Sequence, residues 1–317
     1  MKFIKTAFIA VALLAATGIE AKAAAIYTVQ NVQFTTDPAF TQLLGINKGG
    51  TIVGFHGAVT AQGFTLTLPS NFIAQSFPGS VQTMVTGIND GGSTVGIYMD
   101  AGGTTHGYTD IGGVFKTVDQ PGTVFNQGLG INASNTTVGY FALDKAAGQM
   151  GQSAYSQQGG VFTNINALLP ATNQNSQAVG INNSGNIVGF YLPTAATSIG
   201  FLDKGGVIST IDPFGSASTQ ALGINNNGEI VGFYVDGGGV QHGYVNLNGT
   251  VSNFDPPGSV NTTINGLNDL GQIVGFYTDS KDNVIGFVAS PVPEPSTLAL
   301  FGIGLLALTI KARRRKI

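Results

Sequence analysis

Short runs of β-branched and aromatic residues alternate with turn residues along the middle of the chain, and this pattern returns six times. Each run resembles Ile230–Tyr234 and follows a Gly-Ile-Asn or Gly-Leu-Asn triplet and a turn, often of the form Asn-x-x-Gly. Asn and Gly tolerate the positive φ angles that tight turns need. Short runs of this composition, bounded by such turns, predict β-strands.

The first glycine of the triplet sets the period of the repeat. It recurs in steps of 42, 43, 50, 43 and 43 residues, at Gly45, Gly87, Gly130, Gly180, Gly223 and Gly266. Each unit has about four strand signals, the third centred on a Gly-aromatic pair such as Gly243-Tyr244 and the fourth resembling Val207–Ile211. Four strands per repeat of this length are typical of a propeller blade. We expect an insertion near Ala146–Gln158 in the long step.

The two ends of the repeated region complement each other. The last unit stops after its third strand, near Val288, whereas Ile26–Thr35 precedes an Asp-Pro pair as the fourth strand Val207–Ile211 does. We therefore predict an all-β, six-bladed β-propeller (residues 24–290) that the N-terminal strand closes, hiding sheet edges that would otherwise aggregate. An open β-solenoid with capped ends is the alternative.

Composition supports the β assignment and excludes some partners. The 47 glycines among 317 residues disfavour a helical bundle, because glycine is costly inside helices. There is no cysteine, so disulfides and thiolate metal sites are excluded. Residues 24–290 hold five Lys, no Arg and 14 acidic residues. Because nucleic-acid binding needs a basic surface, we expect no nucleic-acid partner.

The N-terminus has the organisation of a secretory signal peptide. Lysines precede the apolar run Ala7–Ile19, and small residues follow at Ala21 and Ala23. This order predicts a signal helix over residues 1–23, with cleavage after Ala23 or Ala25. The alternative, an uncleaved anchor, would need a longer apolar run.

The last residues, 291–317, form a second targeting segment. Val292-Pro293-Glu294-Pro295 precedes the apolar stretch Leu298–Ile310, and five basic residues follow. The apolar stretch predicts a short transmembrane helix, with its basic end on the cytoplasmic side. The alternative is an ordinary C-terminal anchor helix without a sorting role.

This segment resembles the PEP-CTERM sorting signal of Gram-negative bacteria. The resemblance implies that an exosortase recognises Pro293-Glu294-Pro295 and that the chain is held in the inner membrane before processing. It also implies a location at the cell surface or outside the cell, often with exopolysaccharide. The repeats themselves resemble HAF repeats of extracellular proteins through the Gly-Ile-Asn…Val-Gly-Phe and His-Gly-Tyr phrases, which indicates location more than activity.

Few residues of the repeats suggest chemistry. A glycine recurs inside the second strand signal of every unit, where it indicates close packing rather than ligand contact; these are Gly54, Gly96, Gly139, Gly189, Gly232 and Gly275. His106 and His242 lie in matching His-Gly-Tyr phrases, but other units have Ile there, which favours a structural role. His56, the third histidine, does not cluster with them in the sequence.

Four aspartates occupy equivalent places before turns, at Asp37, Asp119, Asp212 and Asp255. Aspartate there most often caps a turn. A ring of carboxylates that binds a cation or a sugar is the alternative, although residues a blade apart could not easily share one ion. We predict no metal, cofactor or catalytic residue.

These observations lead to a hypothesis of function. We expect an exported, non-enzymatic binding or structural scaffold associated with exopolysaccharide or a cell-surface protein. A hydrolase or lyase acting on extracellular polysaccharide is the alternative, and it requires an axial cleft with a carboxylate of raised pKa. A protein that only coats the cell is a third hypothesis.

Overall fold

The computed structural model describes residues 27–143, 151–170 and 175–292, and their strands form six antiparallel sheets of four strands each. The predicted signal helix and C-terminal helix lie outside these residues. Within the described ranges, no helix is long and apolar enough to cross a membrane.

The sheets are the six blades of a propeller, and strands are numbered along the chain. Blades 1 to 3 contain β2 (Thr41–Ile46), β3 (Ile52–His56), β4 (Gln62–Thr67), β5 (Asn71–Gln75); β6 (Gln82–Ile88), β7 (Thr94–Met99), β8 (Thr105–Ile111), β9 (Val114–Thr117); and β10 (Phe125–Ile131), β11 (Thr137–Ala142), β12 (Gln152–Gln158), β13 (Val161–Asn164). A short 3-10 helix, Ile165–Leu168, follows β13.

Blades 4 and 5 repeat this order, and blade 6 combines both ends of the repeated region. Their strands are β14 (Asn175–Ile181), β15 (Ile187–Thr194), β16 (Thr197–Lys204), β17 (Val207–Ile211); β18 (Ser218–Ile224), β19 (Ile230–Val235), β20 (Gln241–Leu247), β21 (Thr250–Phe254); and β22 (Asn261–Leu267), β23 (Ile273–Thr278), β24 (Val284–Pro291), β1 (Tyr27–Val32).

The N-terminal strand closes the ring as predicted. β1 is the outermost strand of blade 6 and pairs antiparallel with β24, from Tyr27 opposite Pro291 to Val32 opposite Gly286. Val32 is buried in a cluster that includes Leu43 of blade 1 and Val288 of blade 6. The six-bladed propeller is therefore confirmed. The open solenoid is wrong because the first and the last described strands, β1 and β24, belong to one sheet.

The predicted insertion in unit three is only partly correct. Gln152–Gln158, which lies within the predicted insertion, forms β12, the third strand of blade 3. The extra length follows β11 and also follows β13, where the 3-10 helix lies. The period alone could not locate it, because a longer step does not say which connection is longer.

Glycine allows the innermost strands to meet around the axis. A side chain on Gly223 would place its Cβ 3.1 Å from the Cα of Gly266 and 2.8 Å from the oxygen of Asn265. The glycine of every triplet meets the next blade in this way, and Gly266 meets Gly45. The ring of triplet glycines thus lets six blades approach a narrow axis.

The repeated strand glycines are also explained by packing. A Cβ on Gly54 would overlap the carbonyl oxygen of Gln42 in the neighbouring strand, and one on Gly232 would overlap that of Gln220. The prediction of close packing is therefore confirmed. The neighbour is the innermost strand of the same blade.

Asparagines of the triplets join the blades on one face of the propeller. The side-chain amide of each donates to the backbone oxygen of the equivalent asparagine in the next blade, at 2.9–3.3 Å. The resulting closed ring of six, named the asparagine ring, comprises Asn47, Asn89, Asn132, Asn182, Asn225 and Asn268. The face that carries it is the asparagine face.

Candidate ligand site in the axial cup

The face opposite the asparagine face holds a cavity on the propeller axis. Innermost strands begin at this face and end at the asparagine ring, so residues early in those strands surround the opening. The cavity has a volume of about 670 Å³. We call it the axial cup; residues of blades 4, 5 and 6 form most of its lining.

Glutamine and an aromatic ring form matched pairs in four blades, and Gln42 and the pairs of blades 4 and 5 line the cup. Three residues before the triplet glycine, the innermost strand carries Gln in four blades, and its partner across the sheet is aromatic. The pairs are Gln42–Phe55, Gln127–Tyr140, Gln177–Phe190 and Gln220–Phe233. Side chains directly opposite in a non-bulged antiparallel pair lie on the same face of the sheet.

Blades 2 and 6 depart from this pattern. Blade 2 pairs Met84 with Ile97, and blade 6 pairs Thr263 with Phe276. The cup is therefore not six-fold symmetric, because its polar groups are concentrated away from blade 2.

Several of the glutamine amides have no partner among the described residues. The side chains of Gln42, Gln127 and Gln220 make no hydrogen bond to another described residue, and all three residues are only half-buried. Gln177 differs, since its Nε2 donates to Oε1 of Gln152 at 2.8 Å. A free amide offers both donors and an acceptor to a ligand.

Aliphatic side chains form the floor of the cup. In each innermost strand, one residue before the triplet glycine is left out of the pairing by a β-bulge, which aims its side chain at the axis. In four blades this residue is Leu44, Leu129, Val179 or Leu222, and all four line the cup.

The two polar residues at the bulge position are already engaged. The hydroxyl of Thr86 lies 2.8 Å from the oxygen of Gly128 and 3.1 Å from that of Val95, and Nδ2 of Asn265 donates to the oxygen of Leu43 at 3.0 Å. The floor therefore presents aliphatic side chains and, in blade 6, Oδ1 of Asn265, which accepts no hydrogen bond from a described residue.

The cup carries no charge. Its lining, drawn from the described residues, includes Gln, Asn, Thr, Phe and aliphatic side chains but no Asp, Glu, Lys, Arg or His. Buried charges strongly favour charged partners, whereas amides and aromatic rings suit a neutral, hydroxyl-rich ligand. The arrangement can therefore bind such a ligand through amides, hydroxyls and aromatic rings.

Two of the predicted aspartates pair with histidine near the rim of the cup face. In blade 2, Nδ1 of His106 lies 2.6 Å from Asp119 and Nε2 lies 3.4 Å from Asp100. In blade 5, Nδ1 of His242 lies 2.7 Å from Asp255 and Nε2 lies 3.4 Å from Asp236. We call these the two Asp-His-Asp clusters.

The carboxylates determine the protonation of these histidines. The hydrogen bond that His242 donates to Asp255 raises the pKa of His242, against a smaller opposing effect of burial. Burial alone would lower the pKa of His106, but Asp119 and Asp100 together outweigh it and raise the pKa. Both clusters connect the hairpin between the second and third strands, the third strand, and the end of the fourth strand of one blade.

The remaining predicted site residues are separate from the clusters. Burial lowers the pKa of His56, against the attraction of Asp37, whose Oδ2 lies 3.8 Å from Nδ1. Asp212 caps a turn by accepting the backbone N–H of Ser216 at 2.9 Å. Among the described residues, no group of three His, Asp or Glu is placed to hold a metal ion.

Sequence reasoning missed the cup, although the repeats carry a signal for it. Gln recurs three residues before the triplet glycine in four units, which marks one face of one strand. Of the predicted sorting residues, Val292 is described and is 41% exposed. Pro293, Glu294 and Pro295, and the cleavage residues Ala21 and Ala23, lie outside the described residues.

The C-terminal segment indicates the cellular location of the protein. Residues 291–316 match the PEP-CTERM protein-sorting motif. The motif indicates an exported protein that is anchored in a membrane before an exosortase processes it. No curated protein shows significant sequence similarity to the chain. The HAF resemblance of the repeats and the Gram-negative origin stay predictions.

Similar solved structures are distant. A mutant of AofleA from Arthrobotrys oligospora is 10% identical, with a TM-score of 0.49, over 83% of this chain and 86% of that one. The Aleuria aurantia lectin in complex with Fucα1-6GlcNAc is 11% identical, with a TM-score of 0.47, over 80% and 97%. Trypanosoma rangeli sialidase is 7% identical, with a TM-score of 0.48, over 82% of this chain but 58% of the sialidase.

Proposed function

We propose that this exported propeller is a non-enzymatic scaffold that binds a neutral, hydroxyl-rich polymer, an exopolysaccharide, through the axial cup. The observation that carries the proposal is the lining of an uncharged cavity of about 670 Å³ by three glutamines of the Gln–aromatic pairs and by phenylalanine rings. Sugar hydroxyls both donate and accept hydrogen bonds, as the free amides of Gln42 and Gln220 do.

The direction of the chain ends supports this function. β24 runs toward the asparagine face, and its last residue, Pro291, lies beside Gly271 of a turn next to the asparagine ring. The sorting segment therefore leaves from the face opposite the cup. While the protein is tethered, a polymer can reach the cup without passing between the propeller and the membrane.

The positions of the carboxylates favour binding over hydrolysis. Glycoside hydrolysis needs two carboxyl groups flanking the bond, one of them a proton donor of raised pKa. The described cup lining has no carboxylate. In the Asp-His-Asp cluster of blade 5, Asp236 and Asp255 both have lowered pKa values. Backbone N–H groups lower the pKa of Asp236. Burial opposes the shift at Asp255, but hydrogen bonds from His242, Asn253 and Thr262 together outweigh it.

Binding to matrix polysaccharide tests the proposal. We expect the full chain, purified in detergent micelles, to co-sediment with exopolysaccharide from the producing cells. Replacing both free amides (Gln42→Ala with Gln220→Ala) should weaken binding by roughly 10-fold or more, because each lost hydrogen bond contributes about 1 kcal/mol.

Gln158→Ala is the matched control, since Gln158 is exposed at the end of β12, on the asparagine face. It should bind like the unmodified protein. Failure to bind any matrix fraction, or an equal effect of the control, would contradict the proposal. New reducing ends after incubation with the polysaccharide would instead show that the protein is a hydrolase.

A further inference from the structure

The floor and the wall of the axial cup differ sharply in chemistry. The floor presents Leu44, Leu129, Val179 and Leu222, whereas free amides stand one layer above, toward the opening. In the blades that follow the pattern, the wall residue comes two positions before the floor residue of the same innermost strand, as at Gln42 and Leu44 or Gln220 and Leu222. A ligand in the cup therefore meets an apolar surface at its inner end and hydrogen-bonding groups around its sides.

The channel below the floor is apolar as well. Under the bulge residues, the ring of triplet glycines and a ring of Ile and Leu side chains narrow the axis to a space of about 180 Å³. The Ile and Leu ring consists of Ile46, Ile88, Ile131, Ile181, Ile224 and Leu267. The asparagine ring follows, with its amides bonded to one another's blades. A ligand group that reaches the floor thus meets mainly aliphatic side chains.

We propose that the cup selects a neutral sugar residue that carries a methyl group, and holds that methyl on the aliphatic floor. Two kinds of residue have this chemistry: a 6-deoxyhexose and an N-acetylhexosamine. The inference rests on the proposed function, and it names the part of the polysaccharide that enters the cup.

The preference follows from desolvation. A hydroxymethyl group placed on the floor loses its hydrogen bonds to water and gains few in return, which is unfavourable. A methyl group in the same place loses nothing and buries apolar surface. The ring hydroxyls of either sugar can still reach the amides of Gln42 and Gln220.

Pairs of free sugars that differ in one group test the inference. Each competes with the matrix polysaccharide for the full chain: L-fucose against L-galactose, and N-acetylglucosamine against glucose. We expect at least one methyl-bearing sugar to compete about 10-fold better than its partner, a modest ratio for one apolar group in a pocket. The pair that shows the difference identifies which of the two residues is bound.

A floor variant provides the structural control. Leu222→Asn places an amide on the floor, and the fold accepts it because blade 6 has Asn265 at the equivalent position. This variant should lose the preference for the methyl-bearing sugar, whereas Val114→Asn, at an exposed site on β9, should keep it.

The outcomes separate the two proposals. Equal competition within both sugar pairs, or no competition by any of the four sugars, would overturn the methyl inference while polysaccharide binding stands. Absence of polysaccharide binding by the unmodified chain would overturn the proposed function itself. A preference that Leu222→Asn leaves unchanged would also overturn the inference, because the floor would not be its cause.

Discussion

The residue that contributes most to the joining of the blades is a buried asparagine. Oδ1 of Asn182 accepts the backbone N–H groups of Ser184 at 3.1 Å and Asn186 at 3.0 Å, while its Nδ2 donates to the oxygen of Asn225 at 3.1 Å. One side chain therefore shapes its own turn and bonds to the next blade. Because buried polar groups need partners, each member of the asparagine ring depends on the one before it.

Removing one member should destabilise the propeller. We expect Asn182→Ala to lower the free energy of unfolding by about 2–4 kcal/mol, because it leaves the oxygen of Asn225 and the N–H of Asn186 without partners. Urea unfolding measures the change. Asn183→Ala is the matched control: Asn183 is exposed and accepts from the N–H of Ala133, which itself shows that alanine is tolerated here. Equal losses in the two variants would contradict the role of the ring.

At the scale of the element, the hairpin between β19 and β20 depends on a histidine. Oδ1 of Asp236 accepts the N–H groups of Gly238 at 2.8 Å and Val240 at 2.9 Å, and its Oδ2 faces Nε2 of His242. The other ring nitrogen faces Asp255. A neutral imidazole has only one N–H, so only the protonated ring can donate to both carboxylates. Tyr234 stacks on the ring at 5.3 Å and adds no charge.

This arrangement predicts a pH-dependent contribution to stability. The folded-state pKa of His242 is raised. The contribution is therefore full below the ordinary histidine pKa of about 6.5 and is lost as the pH rises through the folded value. It should not exceed on the order of 1 kcal/mol, because the cluster is partly exposed.

The repeat supplies the variant for this measurement. His242→Ile matches blades 4 and 6, which have Ile199 and Ile285 in the same place. The difference in unfolding free energy between the unmodified protein and the variant should change in favour of the unmodified protein between pH 8 and pH 5.5. A difference that is constant over this range would show that the cluster does not titrate as described.

At the scale of the whole molecule, stability depends on closing the ring. β1 covers the edge of β24, and Val32 packs in a cluster that spans blades 6 and 1. The fold has no disulfide to hold its ends, since the chain has no cysteine. Pairing between the first and last described strands therefore replaces a covalent link.

Weakening this closure should affect the two blades together. We expect Val32→Ala to cost about 1–3 kcal/mol, as removal of buried methyl groups does. Amide hydrogen exchange should quicken in β24 and in β2 of blade 1 as well as in β1. Thr28→Ala, at an exposed site of the same strand, serves as the control. Faster exchange confined to β1 would mean that the strand only frays.

Much of the architecture could be predicted from the local pattern of residues within each repeat. The period of the triplets predicts six blades, Val207–Ile211 is the observed β17, and the spare N-terminal strand follows from a missing fourth strand. These features are encoded within single repeats, where strand propensity and turn residues act over a few positions. The site was not predictable in this way, because Gln42 and Gln220 become neighbours of one cavity only when the ring closes.

The sequence by itself thus determined the strands, their number and the export of the protein, because each is encoded in a contiguous segment. Tertiary structure alone decided which repeated residues face the axis, which join blades and which pair across a blade. Asn182 shapes a turn in any single repeat but bonds to Asn225 only in the assembled propeller. His106 and Asp119 are 13 residues apart and meet because β8 and β9 pair. The physical reason is that closing a ring brings distant side chains together, which no local preference specifies.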